Sequence, residues 1–162
     1  MSIWAVLIAY VGFAWLELGR SRSAPIRPQA RWLWSAGAAC LLLHAFFAFD
    51  AFYEWSHQVA LATTAEQTAD LVGVERGEGL YLNYLMVVLW LGDATWLRLS
   101  ETSYRKRSPW IGYVLHTFMV FMMINGMIIF ASGPIRWVGV AVFALLGVKA
   151  IDVWRRSTKS RG

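Results

Sequence analysis

Residues 105–131 read RKRSPWIGYVLHTFMVFMMINGMIIFA. Three basic residues, a serine and a proline are followed by Trp110 to Ala131, a stretch with no formal charge in which His116 and Asn125 stand out as polar. At a helical rise of about 1.5 Å per residue this stretch is roughly 33 Å long, enough to cross the hydrocarbon core of a bilayer. It reads as a membrane-spanning helix whose basic flank stays in the cytoplasm.

The rest of the chain repeats the pattern. Apolar residues make up 58% of the 162, charged residues only 15%, and there are ten tryptophans. A soluble domain of this size needs more charge to cover its surface. Four further apolar segments have spanning character: 2–18, 32–49, 80–97 and 137–154. All four prolines fall between spans, where a missing backbone donor does least harm. The sequence therefore predicts an all-α, polytopic membrane helix bundle of five transmembrane helices in one domain. The first segment lacks a basic leader and is followed by arginines, so it reads as a retained helix rather than a signal peptide. The single cysteine, Cys40, excludes an intrachain disulfide and reads as a small packing residue.

Thirteen of the fifteen basic residues lie on one side of this map. They are Arg20, Arg22, Arg27 and Arg31 after the first span, then Arg98, Arg105, Lys106 and Arg107 after the third. Lys149, Arg155, Arg156, Lys159 and Arg161 complete the set. Only Arg76 and Arg136 fall on the other side. The expected topology is N-terminus out and C-terminus in, across a bacterial inner membrane. The net charge of +5 is then a cytoplasmic face, with the bilayer as partner and no nucleic acid. Tryptophans follow the same levels, with Trp4, Trp55 and Trp137 near the outer boundary. Trp15, Trp32, Trp34, Trp96, Trp110 and Trp154 lie near the inner one, and Trp90 is mid-span.

Between spans two and three lies an acidic outer segment. AFYEWSHQVALATTAEQTADLV (51–72) has no proline or glycine and reads as helix throughout, either continuing the second span or lying on the surface. On a continuous helix Asp50, Glu54 and His57 share a stripe, and Glu54–His57 has the Glu-x-x-His spacing of bundle metal sites. That stripe is a candidate metal site, or simply a helix turning polar as it leaves lipid. Deeper in the bilayer, Asp93, His116 and Lys149 are expected roughly 7–9 Å from the inner surface. There they form a buried polar cluster that is helix-to-helix glue or a proton or ligand site, or else they snorkel to the interface without contact. Asn125 is counted with this buried polar set; it is expected at the level of His44, whose hydrogen-bond partner is either Asn125 or a backbone carbonyl. His44 and His116 are candidate ligands for haem b, although their expected depths differ by roughly 9 Å. Small residues from Ser35 to Cys40, and at Gly126, Gly139, Ala141, Ala144 and Gly147, predict close helix packing.

His44, Trp55-Ser-His57, Gly79-Leu-Tyr-Leu-Asn83-Tyr84, Trp90, Asp93, Ser132-Gly-Pro and Arg136-Trp137 together resemble a group of small multi-pass bacterial membrane proteins. The likeness spans about residues 32–140, with the first span as an addition. It implies an inner-membrane bundle and no particular activity. Where the group has a further histidine, this chain has Asp50.

Dinucleotide, phosphate-loop, serine-hydrolase elbow, His-Glu-x-x-His and covalent-haem motifs are all missing. The functional expectation is a non-catalytic accessory or assembly subunit of a larger membrane complex, or a homo-oligomer. The alternatives are a redox or proton-handling protein binding haem, quinone or a metal ion, and a small channel.

Overall fold

The computed structural model describes residues 2–21, 24–131 and 133–159. Arg22, Arg161 and Ser132, which enter the charge map and the noted resemblance, lie outside the described residues, as does the side chain of Lys159. The fold is 84% helix, with no strand among the described residues. The helices are α1 (Ser2–Glu17), α2 (Pro28–Phe52), α3 (His57–Val72), α4 (Gly79–Leu99), α5 (Glu101–Lys106), α6 (Pro109–Ile124) and α7 (Pro134–Lys159). A π-helical turn, Asn125–Ile129, follows α6.

Four helices are long and apolar enough to cross a membrane: α2, α4, α6 with its π turn, and α7. The chain therefore has the build of a multi-pass membrane protein. Helix α1 is apolar but shorter, at 16 residues. Proline at the first turn starts both α2 and α6, where its fixed φ suits a helix and its missing donor is not needed.

Helix α1 is central rather than appended. Val6, Tyr10 and Phe13, with Leu7 and Ala9, are buried and form one helical stripe. That stripe packs against α2, which buries Ala30, Trp34, Gly37, Ala38 and Leu41. Helix α4 packs on α2, and α6 packs on α4. Trp34, expected near the lipid boundary, is fully buried instead, because its indole N–H has an internal partner. Helix α7 lies on the periphery, touching α1 and the π turn, and Gly139 is its only buried residue among those described.

The outer segment is not one helix. Helix α2 stops at Phe52, and Glu54 and Trp55 take left-handed backbone angles, with φ of 48° and 56°. Side chains tolerate that region poorly, so a helix cannot continue through it. Ser56 then caps α3, its hydroxyl accepting from Val59 N at 3.3 Å. Gly73, at φ 74°, ends α3, and the chain returns so that α3 packs on α4.

The tightest helix approach is at Gly37. A Cβ there meets Trp90 Cζ2 at 2.5 Å and the Ala9 methyl at 3.1 Å. A flat indole enclosed on all sides cannot move aside. Gly37→Val is expected to lower stability by about 2–3 kcal/mol through overpacking, whereas Gly147→Ala, which meets nothing within 4 Å, does not lower it. Thermal unfolding in detergent distinguishes the two.

Candidate functional site

Helix α4 carries Asp93 one turn before its fully buried Leu97. The helix ends at Ser100, whose hydroxyl accepts from Ser103 N at 3.3 Å and starts α5. That short helix turns the chain back, so Tyr104 and Arg107 return to the α4 residue they have just left. Tyr104 Oη donates to Asp93 Oδ2 at 2.8 Å, and Trp34 Nε1 donates to the same oxygen at 2.8 Å. The Arg107 guanidinium is ion-paired with Oδ1. It also donates to Tyr104 Oη at 2.9 Å and lies 3.8 Å from that ring's centroid. Asp93 is only 6% exposed. Each of its oxygens is engaged, as a buried charge requires. Burial first, and then the Asp93 carboxylate, push the Tyr104 phenol above its ordinary range.

Beneath this network lies a layer of rings. Phe13 and Trp34 are 4.3 Å apart at their centroids, Trp34 and Trp90 5.0 Å, and Trp34 and His116 5.4 Å. Tyr10 Oη sits 3.4 Å from His116 Nδ1. Trp90 Nε1 is buried without a hydrogen-bond partner among the described residues. An orphan donor of this kind costs about 1–3 kcal/mol, offset here by ring packing on every side.

One cavity opens on each side of the layer. On the basic side, about 230 Å³ is lined by Arg20, Arg105, Arg107, Tyr104, Tyr113 and His116 among others. On the acidic side, about 270 Å³ is lined by His44, Tyr53, Asn83 and Tyr84, with Met86, Met122, Met123 and Met127 as much of its wall. An apolar groove between α4 and α6, about 510 Å³, faces outward past Val88, Gly92 and Val114.

The expected site residues are only partly brought together. Asp93 and His116 are near neighbours around Trp34. Lys149 does not join them. Its ammonium donates to the Trp15 carbonyl and lies 3.9 Å from the Trp15 ring centroid. There it serves the C-terminal end of α1, whose last carbonyls lack helical partners. Asn125 does not join them either, since its amide donates to Phe121 O at 2.8 Å. His44 and His116 line different cavities with the ring layer between them, so no single iron is placed between the two.

The Asp50–Glu54–His57 stripe does not form, because the helix breaks between Asp50 and His57. Asp50 accepts from Trp55 Nε1 at 3.1 Å. His57 faces two tyrosines instead, Tyr84 at 3.1 Å and Tyr81 at 3.4 Å. Among the described residues, no three His, Cys, Asp or Glu side chains come together as a metal-binding set.

Three functional partners were not read from the sequence: Trp34, Tyr104 and Arg107. The available signal was Ser100 and Pro109 bracketing a short turn, which returns Arg107 to Asp93 after only 14 residues. Glu101 was also passed over. It accepts from Arg31 at 2.7 Å and from Ile26 N at 2.9 Å, clamping the α1–α2 loop to α5.

No protein-family model, curated protein or solved structure matches the chain.

Asp93→Asn is expected to destabilise the protein by about 3–5 kcal/mol, because it strands the Arg107 charge. Replacing both partners, as Asp93→Leu with Arg107→Met, is expected to recover much of that loss. Chemical denaturation in detergent measures both. The raised Tyr104 phenol stabilises the fold fully below the free tyrosine value of about 10, and that contribution is lost as pH rises through the folded-state value. Ultraviolet titration is therefore expected to show one tyrosine fewer ionising late in Tyr104→Phe than in the parent.

Proposed function

We propose that this chain is a five-span bacterial inner-membrane protein with its N-terminus outside and its C-terminus inside. It acts as a non-catalytic accessory or assembly subunit of a larger membrane complex. The one-sided distribution of lysine and arginine supports the orientation. At 16 residues, α1 crosses only with a thinned bilayer or with its polar ends drawn inward. Its buried stripe supports an inserted place among the other helices.

The observation that carries the subunit reading is α7. It is 26 residues long and apolar, yet almost none of it is covered by its own chain. Trp137, Leu145, Val148, Ile151 and Trp154 are each more than half exposed. Gly147 adds an open notch on the same helix, a shape that admits a second helix at close range. The interior is consistent with a non-catalytic role, since both carboxylate oxygens of Asp93 and the Tyr104 hydroxyl are engaged within the network.

Two measurements test this. In a Cys40→Ala background, single cysteines at Lys106 and Glu75 are expected to label from opposite sides of the intact membrane. A photo-crosslinking residue at Val148 is expected to give one defined protein adduct in native membranes, whereas one at Phe47 gives lipid adducts. A particle of 18.4 kDa in mild detergent, with only lipid adducts from Val148, overturns the subunit reading.

A further inference from the structure

The basic-side cavity lies where α1 ends, α5 turns and α6 begins. The guanidinium groups of Arg20, Arg105 and Arg107 line it, against a single lining carboxylate, Glu17. Two of these arginines are already fixed in place. Arg20 is ion-paired with Glu17 at 3.3 Å, and Arg107 is held by Asp93 and Tyr104. Asp93 and Tyr104 occupy only part of the fork of N–H donors that a guanidinium carries. The remaining donors need no further ordering when an anion arrives, which removes a usual cost of binding.

His116 completes the wall from the side of the ring layer. Its Nδ1 faces Tyr10, while its other nitrogen has no protein partner among the described residues. Tyr113 also lines the cavity. The exposed indoles of Trp15, Trp32 and Trp110 ring the same end of the bundle. Indoles settle at the headgroup level of a bilayer, so the cavity and lipid phosphates share a depth.

We propose that this cavity is a binding site for the phosphodiester of an anionic lipid. Resting on the membrane reading above, it places that lipid in the leaflet facing the cytoplasm. Guanidinium groups match phosphate oxygens through paired N–H donors, and basic pockets between helices on this face are suited to such headgroups. The alternative source of the same chemistry is free phosphate, which the test separates.

The full chain, delipidated in detergent, is titrated with phosphatidylglycerol or phosphatidylcholine and read by native mass spectrometry, with and without inorganic phosphate. Phosphatidylglycerol is expected to bind in preference, and inorganic phosphate at about 10 mM leaves it bound. Arg105→Gln is expected to weaken retention about fivefold, the worth of one basic residue near an anionic surface. Arg20→Gln provides a second variant should the first fold poorly. Arg155→Gln, an exposed basic residue outside the cavity, changes nothing. Equal binding of the two lipids overturns the proposal, as does an equal loss in Arg155→Gln. Displacement by phosphate assigns the cavity to the free anion and overturns the lipid. Sidedness does not enter this measurement, so a failed orientation shows in the cysteine labelling and leaves this result readable.

Discussion

The Asp93 carboxylate sits among apolar helices at 6% exposure, and the basic half of the bundle is arranged around its neutralisation. A charge in such surroundings must be paired and fully hydrogen-bonded or it destabilises the fold by several kcal/mol. The cation comes from a connection, Arg107, rather than from a neighbouring span. That choice requires α4 to end abruptly, a six-residue helix to reverse the chain, and α6 to begin straight afterwards with Pro109. Trp34 adds its donor from α2. One carboxylate thereby fixes the relative positions of α2, α4 and the α5 turn. Its neighbours extend the tie: Arg98 donates to Ser35 Oγ at 2.8 Å, and Arg31 pairs with Glu101.

The ring layer explains why α1 belongs to the core although it is the shortest of the apolar helices. Tyr10 and Phe13 stand on one of its faces and meet Trp34, Trp90 and His116 from three other helices. Aromatic pairs at these separations add to simple area burial. The layer also divides the interior, leaving an arginine-lined cavity on one side and a methionine-lined cavity on the other. Gly37 is the condition for this arrangement, because any larger residue displaces Trp90.

The helical elements were legible in the sequence because each rests on local composition. Expected segments 32–49, 80–97 and 137–154 lie inside α2, α4 and α7, and proline marks two of the starts. The break between Asp50 and His57 was not legible, since nothing in FYEWSH forbids a helix. It arises from the left-handed backbone at Glu54 and Trp55, and from the tyrosines of α4 that hold His57. The site was half legible. An aspartate in a span is conspicuous, so Asp93 was found. Its partner was not, because Arg107 sits in a run of basic residues that the positive-inside rule already accounts for. Depth along the span pointed to Lys149 instead. Depth says nothing of azimuth, and Lys149 faces the end of α1.

The two halves of the molecule differ in the kind of contact that holds them. The basic half is tied by charge-assisted hydrogen bonds with fixed directions, and by rings with few rotamers. The cavity in the opposite half is lined by Met86, Met122, Met123 and Met127, unbranched side chains that repack at little cost. Its helix α6 closes in a π turn, where the regular ladder is already interrupted. Its tie at the far end, His57 to Tyr81 and Tyr84, is exposed. Local stability in a protein follows the density and directionality of such contacts. The arginine-lined cavity therefore sits against the more firmly tied end of the bundle. The His44 cavity sits at the end that yields.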